Sequence, residues 1–529
     1  MLDWRIQNAL ILDGGGGTPY RSDLGIQRGS ITALGDLSGA EALQTLDAGG
    51  RCLTPGFIDI HRHGDAALFR PHYGDAELAQ GLTTVLNGNC GLSLAPAVGS
   101  HSGEILRYLA PITGEIPVGQ EFPSLSDYFR QAGQVPLALN VGMLAGMGTL
   151  RANVAGFADG ELDDGQYRQL HALLESALAD GALGVSLGLG YAPECFYTTE
   201  QLIRALAPLR QSGQVITVHM RQEGDGVTDA LREMIDVARA LRTPVEVSHL
   251  KAIGRRNWRR AVPEMLALIA QARDEGLDIT CDVYPYTAGS TQLIHVLPPE
   301  FQSGGTEALT RALSDTAVRR EMRCRMETGS DFENISALVG FENIRATSLG
   351  LPENRRFEGK SIAEIAQTQG EDPFDALFDL LAEERCTVSM IDFITHEDDI
   401  ANILRTPFSG VISDATYPTS GLLHPRVYGT FPRLLETYVR KRQVLSLPEA
   451  IRKITRLPAD RFQLTRKGRI ALGADADLCL FRPENIRECG DYSDPARFAE
   501  GMDYVFVGGA PAIENGCRTD RMNGALLIR

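Results

Sequence analysis

The strongest constraint on the fold is a rhythm that begins at Pro55, where short apolar runs of strand length alternate with longer stretches of helical periodicity. The runs are Leu53 to Ile60, Leu82 to Leu86, Leu137 to Val141, Leu183 to Leu187, Val215 to His219, Val245 to His249 and Leu277 to Tyr284. Between them Tyr167, Leu170, Leu174 and Leu178 recur at helical spacing, and Val227 to Leu241 and Val262 to Arg273 read the same way. Strand-helix alternation implies a parallel sheet with crossover helices, and seven or more such units predict a closed (β/α)8 TIM-like barrel. From about Leu297 to Ile344 the rhythm breaks, with Pro298-Pro299, Gly304-Gly305 and a charged stretch from Arg319 to Arg325. This reads as an inserted lid subdomain, about 297–345, over the barrel mouth. Helical pattern resumes at Ser361 to Glu384. Thr387 to Ile391 and Gly410 to Ser413 then compete for the last strand position, so nine candidate strands stand for eight places.

Both ends of the chain read differently. Ile6 to Asp13 runs into Gly14 to Gly17, and a turn at Arg28-Gly29 follows Leu24 to Gln27. No Lys-Ser/Thr follows the glycines and no helix opens there, so they form a hairpin turn rather than a phosphate loop. Past Ser446 a helix with Pro448 near its start leads to Lys467 to Phe481 and Tyr504 to Gly509, again short strands and turns. The expected organisation is a small β-sandwich built from 1–54 and 465–529, flanking a barrel over 55–464.

Composition narrows the function classes. At 529 residues the chain exceeds what one core usually holds. Its 43% apolar and 22% charged content is that of a soluble globular protein, with no apolar run of membrane-spanning length. A net charge of −17 repels polyanions, which argues against nucleic acid and anionic membrane as partners. Nine scattered cysteines, none in a CxxC pair, and no basic-then-apolar segment at the amino terminus point to a reducing cytoplasm.

Chemistry concentrates at the carboxyl ends of the predicted strands. His61 and His63 close the first and share a face, because side chains alternate along a strand. Cys90 follows the second in the turn Asn87-Gly88-Asn89-Cys90-Gly91; His219 and His249 close two later strands; Asp414 closes the last. A parallel barrel points all these ends into one mouth, so six residues of metal-ligating type converge. Neutral imidazoles, a thiolate and a carboxylate are the donors of a transition-metal site. His72, His101, His171, His295 and His396 have no such placement, and His424 lies in a loop.

Several motifs are also similar to those of a known family. They are Pro55-Gly56-Phe57-Ile58-Asp59-Ile60-His61-Arg62-His63, Gly88-Asn89-Cys90-Gly91 with Ala95-Pro96, Ser248-His249-Leu250-Lys251, Asp282-Val283-Tyr284-Pro285-Tyr286, and His424-Pro425-Arg426-Val427-Tyr428-Gly429-Thr430-Phe431-Pro432-Arg433. Together they resemble the D-aminoacylases, the N-acyl-D-amino-acid deacylases of the amidohydrolase superfamily, nearly end to end. Cys90 in its turn is the specific part, since many amidohydrolases place a carboxylated lysine there. The resemblance implies that Cys90, His219 and His249 hold a tight zinc, that His61, His63 and Asp414 form a second, weaker position, and that Lys251, Tyr284 and Arg426 receive a small N-acyl-D-amino acid. Two departures touch loops rather than ligands: Gly64-Asp65 follows the HxH where the family often has Asp-Asp, and Ala415 follows the strand-end aspartate where it usually has glycine.

Zinc lowers the pKa of a bound water from ~15.7 to about 7, and Asp414 is placed to take that water's proton and pass it to the leaving amine. Arg426 carries five donors suited to a carboxylate, with Arg433 its competitor, as Tyr286 competes with Tyr284. Two other readings share the fold: a cyclic amidase of hydantoinase or dihydroorotase type, and a non-catalytic relative that keeps the barrel for assembly.

Overall fold

Residues 1–529 are all described by the structure, a computed structural model. Five strands open the chain: β1 (Leu2–Ile11), β2 (Tyr20–Gln27), β3 (Ser30–Gly35), β4 (Ala42–Asp47) and β5 (Cys52–Pro55). The glycine run lies in the antiparallel β1–β2 connection, as expected of a hairpin. At the β2–β3 turn Arg28 and Gly29 both have positive φ, 51° and 75°, the backbone sense that matches the twist of paired strands. Gly56 then carries the chain out of this sheet. A Cβ there would fall 2.2 Å from Thr83 Oγ1, so only glycine allows the close approach of this crossing to the neighbouring strand.

The parallel strands follow as β6 (Phe57–Asp59), β7 (Leu82–Asn87), β8 (Asn140–Met143), β9 (Ala145–Gly146), β10 (Gly184–Gly188), β11 (Val215–His219), β12 (Val245–Val247) and β13 (Ile279–Val283). Nearly every residue in them is buried, as in sheets covered on both faces, which is why they read as apolar runs rather than alternating ones. β6, β7 and β8 pair in parallel, and so do β9 through β13 in sequence order. The two sets are continuous in the chain, since Leu144 alone separates β8 from β9. The intervening helices are those the periodicity predicts. Asp164–Ala179 starts at a capping box in which Asp163 and Gln166 exchange hydrogen bonds, and Val227–Leu241 buries Ala230, Leu231, Met234, Ala238 and Leu241 along one stripe.

After β13 the parallel series is interrupted. β14 (Ala288–Gln292), β15 (Ile344–Ser348) and β16 (Ser389–Phe393) form a three-stranded antiparallel sheet with β16 in the middle. The run Thr387 to Ile391 therefore takes no place in the parallel series. That place goes to β17 (Ser409–Val411), parallel to β13. A five-residue apolar run suits either sheet, and only its partners distinguish them. The interruption thus extends from β14 to β16, wider than 297–345, with the helices Gly305–Ala312, Thr316–Thr328 and Ile335–Val339 inside the expected part. The helical stretch Ser361 to Glu384 is two helices, Ile362–Gln369 and Pro373–Glu383, separated at Gly370, whose φ is 75°.

Beyond β17 the chain rejoins its beginning. Asp414 N donates to His61 O and His63 N to Ala415 O, both at 2.9 Å, and Arg62 bridges Ala415 in parallel. β18 (Leu478–Phe481) pairs antiparallel with β5; β19 (Met502–Val507), β20 (Ala510–Glu514) and β21 (Cys517–Arg518) follow, completing a nine-stranded sheet drawn from both termini. One face of that sheet packs a 15-residue apolar core including Ile6, Leu24, Leu478 and Phe506, while Phe481 and Val505 join the 117-residue core that also takes in the parallel strands and their helices; an 11-residue cluster including Ile58, Leu86, Val215 and Ile412 is distinct from both. The last strand, β22 (Leu526–Leu527), leaves that sheet and lies parallel beside β8, so the segment 465–529 divides between the terminal sheet and the parallel strands. No helix is long and apolar enough to cross a membrane.

Candidate active site

The carboxyl ends of the parallel strands converge as the spacing predicts. His61 and His63 lie just past β6 on one face, ring centroids 5.6 Å apart. Arg62 between them turns the other way, its Nη1 donating to Asp59 Oδ2 at 3.1 Å and its Nη2 meeting Glu77 and Tyr417. Cys90 sits in the turn after β7, held from two sides. Ser186 Oγ accepts from Gly91 N at 3.0 Å and donates to Gly88 O at 2.5 Å. Asn89 Nδ2 donates to Ile60 O, Arg62 O and Leu86 O, which ties the cysteine turn to the HxH strand. His219 ends β11, and His249 and Asp414 follow β12 and β17.

Cys90, His249 and Asp414 have φ of 53°, 38° and 53°. Left-handed backbone at residues with a Cβ costs about 1–3 kcal/mol each and survives where surrounding structure holds it, as happens at functional sites.

Two donor groups result, sharing Cys90. His61, His63, Cys90 and Asp414 have ligand atoms within 4.8 Å of one another, and so do Cys90, His219 and His249. His61 Nε2 lies 3.2 Å from Cys90 Sγ and 3.4 Å from Asp414 Oδ1, which is 3.2 Å from His63 Nε2. His249 Nε2 lies 3.5 Å from Cys90 Sγ and 3.1 Å from His219 Nδ1. A third group, His219, Glu223 and Glu333, borders the second.

Burial sets the charge states. Desolvation holds His61 below, and His219 and His249 well below, the usual imidazole range, so all three rings are neutral. Desolvation, then the Asp414 and Glu223 carboxylates, push the Cys90 thiol well up. Burial also pushes the Asp414 carboxyl up, but Arg426 and the rings of His61 and His63 outweigh it and hold the group well below the usual carboxylate range. This set fits a transition metal: neutral imidazoles, a sulfur and a carboxylate face one another, and a cation among them reverses the desolvation that holds Cys90 protonated. The buried Nδ1 atoms of His61 and His63, away from the shared centre, have no partner.

The three predicted substrate residues are placed differently. Lys251 Nζ donates to both oxygens of Glu223 at 2.6 Å and lies 2.8 Å from His249 Nδ1. Tyr284 lines the cleft, which measures about 880 Å3 with its open mouth. Arg426 is fully buried behind Asp414: Nη1 is 2.9 Å from Asp414 Oδ2, at an angle that makes no hydrogen bond, and Nη2 donates to Ser290 O at 2.9 Å. Their competitors turn elsewhere. Tyr286 donates to Glu488 Oε1 at 2.7 Å and Arg433 to Glu488 Oε2 at 3.0 Å, outside the cleft. His424 is buried, its Nε2 3.0 Å from Ala288 O and its Nδ1 accepting from Arg426 N.

Four cleft residues escaped the strand-end reasoning. Glu223 Oε1 lies 3.0 Å from His249 Nδ1, the contact that fixes a ligating imidazole's tautomer; its only trace in the sequence is its place four residues after His219. Glu333 accepts from Glu223 N at 2.6 Å, and desolvation raises its carboxyl to about 8. His295 stacks on Tyr191 at 4.2 Å, and burial lowers its ring to about 3. Asp392 comes from β16. The last three belong to the interruption, which no strand-end rule reaches.

Comparison with known proteins accords with this arrangement. The amidohydrolase family profile matches residues 44–513. The D-aminoacylase of Alcaligenes xylosoxydans xylosoxydans is 31% identical over 529 residues, covering 100% of this chain and 98% of its own length. The N-acyl-D-aspartate deacylase of the same organism is 33% identical over 510 residues, 96% of this chain and 91% of its own. The crystal structure of N-acyl-D-glutamate deacylase from Bordetella bronchiseptica, complexed with zinc and a phosphonate inhibitor mimicking the tetrahedral intermediate of the reaction, superposes with a TM-score of 0.85 at 30% identity, covering 100% of both chains. With the site geometry, these matches place the chain in the amidohydrolase family, among its D-aminoacylases.

Proposed function

We propose that this protein hydrolyses the amide bond of N-acyl-D-amino acids in a zinc-dependent reaction, releasing a free D-amino acid and a carboxylate. The observation that carries the reading is Cys90 shared between two donor groups at the strand ends, with the carboxylate of Asp414 on the far side. In this reading the parallel strands close into a (β/α)8 barrel over 55–464, the terminal strands form a small β-sandwich, and the interruption is a lid. Cys90, His219 and His249 would hold a tight zinc, with His61, His63 and Asp414 offering a second, weaker position. Zinc bound there supplies an activated water near neutral pH and polarises the scissile carbonyl.

The remaining chemistry belongs to the chain. Asp414, kept ionised by Arg426, takes the proton of the attacking water and returns it to the amine nitrogen, which must be protonated before the C–N bond breaks. Glu223 orients His249 and neutralises Lys251, whose ammonium faces the cleft beside Tyr284. Burial holds the Tyr284 hydroxyl well above the usual phenol range, so it remains a donor. Tyr284 and Lys251 position the substrate's carbonyl and α-carboxylate, and the unspent hydrogens of Arg426 on Nε and Nη1 add positive field from behind. Nine scattered cysteines with none in a CxxC pair support a reducing cytoplasm as the setting, and the deacylase reading makes the partner a small molecule.

Assay of N-acetyl-D-amino acids beside hydantoins and dihydroorotate, with metal analysis of the purified protein, tests the proposal. Turnover of the linear D-substrates by a zinc-containing protein is expected. Turnover of the cyclic substrates alone would replace it with a cyclic amidase, and absence of any metal would favour a non-catalytic role.

A further inference from the structure

Part of the cleft wall is built by the interruption between β13 and β17, which supplies Gly289, His295, Gln302, Glu333 and Asp392. Asp392 on β16 lines the cleft at 3% exposure, and its Oδ1 has no hydrogen-bond partner. Beside it lies Gly289 of β14, paired with Asp392 across the sheet, where a Cβ would crowd the carboxylate at 2.9 Å from Asp392 Oδ1 and stand 3.3 Å from the Tyr284 hydroxyl. In the same cleft, His295 at 8% exposure has no partner on either ring nitrogen, and Gln302 at 5% has none on Oε1. Buried polar atoms normally find partners. Asp392 Oδ1, Gln302 Oε1 and both ring nitrogens of His295, one an acceptor and one an N–H donor, are unpartnered among the residues that line this one cleft.

The charges of the cleft point the same way. Its acidic side chains are Glu223, Asp331, Glu333, Asp392 and Asp414, with burial raising Glu333 to about 8 and Asp392 to about 6, and its cations are Arg221 and Lys251. Both cations are engaged: Arg221 grips Glu233 through Nε and Nη2 at 3.0 and 2.9 Å and donates to Cys195 O, and Lys251 is held by both oxygens of Glu223. An acidic substrate side chain brought against Asp392 meets an unpaired carboxylate oxygen rather than a cation, so its desolvation there goes uncompensated.

Resting on the deacylase reading above, we infer that the cleft selects N-acyl-D-amino acids with a basic, hydrogen-bond-donating side chain, with Asp392 as the acceptor that specifies it. A lysine ammonium or arginine guanidinium supplies the donor that Asp392 Oδ1 lacks and sets a positive charge against that carboxylate.

The test is kcat/KM of the zinc-loaded full chain for the N-acetyl derivatives of D-lysine, D-arginine, D-leucine and D-glutamate, with wild type, Asp392→Asn and Asp392→Glu. The basic substrates are expected to exceed D-leucine about tenfold and D-glutamate about a hundredfold. Asp392→Asn is expected to lower the D-lysine to D-leucine ratio about tenfold, and Asp392→Glu, which keeps the charge, to retain the wild-type order; the ratio, unlike absolute rate, does not move with a general loss of folded enzyme. A wild type that prefers D-leucine or D-glutamate, or a ratio unmoved in Asp392→Asn, overturns the inference and leaves the deacylase reading standing. Turnover of none of the four substrates overturns both.

Discussion

Arg426 Nη1 stands 2.9 Å from Asp414 Oδ2, while Asp414 Oδ1 faces His63 Nε2 at 3.2 Å and His61 Nε2 at 3.4 Å. One carboxylate thus meets a fixed guanidinium on one side and the imidazole pair on the other. Its position suits proton transfer because Arg426 keeps it ionised while the cleft keeps it accessible, at 12% side-chain exposure against 0% for Arg426.

Asp414→Asn retains the shape and removes the base. General acid-base catalysis contributes about 10²- to 10⁴-fold, so kcat is expected to fall by that order while zinc bound as proposed by Cys90, His219 and His249 is retained. Steady-state kinetics together with metal stoichiometry check this; near-normal rates remove Asp414 from the mechanism.

Arg426→Gln acts on the same carboxylate from behind. Losing a nearby cation disfavours the charged form, so the Asp414 pKa rises toward its ordinary value and the acid limb of kcat/KM moves to higher pH. A pH-rate profile from pH 4 to pH 9 shows the shift. An acid limb that stays in place would show that another group sets it.

Cys90→Ala and His219→Ala are each expected to lose bound zinc and activity together, because an alanine at either position removes one of three donors from the group proposed to hold zinc more tightly. Metal analysis after dialysis reads the first effect and turnover the second. Full activity in either variant overturns the ligand assignment.

Glu223→Gln removes the carboxylate from His249 Nδ1 and frees Lys251. Partners that orient a ligating histidine are typically worth 10- to 100-fold in metal affinity, and competition with a chelator is expected to show a loss of that size. KM is expected to change as well, since Lys251 gains an unpaired charge at the cleft wall.

Arg62→Leu tests a buried charge cluster apart from the chemistry. Arg62 is wholly buried against Asp59 and Glu77, and removing one partner from such a cluster costs about 3–5 kcal/mol, because the remaining charges stay buried and unpaired. A urea midpoint shifted to match is expected; an unchanged midpoint would mean that Asp59 and Glu77 protonate at little cost.

What the sequence determined by itself is the periodic part of the molecule. A strand in a covered parallel sheet must be apolar throughout and a crossover helix apolar along one stripe, and both patterns are written locally, so Val227–Leu241 and the strand ends at His61, Cys90, His219 and His249 were readable before any contact was known. The convergence of His61, His63, Cys90, His219, His249 and Asp414 was legible because parallel strands deliver their carboxyl ends to one place. Only the tertiary structure decided what depends on partners distant in sequence. It placed Ser389–Phe393 between β14 and β15 rather than beside β13, returned β22 to β8, chose Tyr284 over Tyr286 for the cleft and set Arg426 behind Asp414. It also brought Glu223, His295, Glu333 and Asp392 into the cleft. The physical reason is that an apolar run or a lone polar residue carries no record of which surface will cover it. That is settled when the chain closes and each buried charge finds, or is left without, its counterpart.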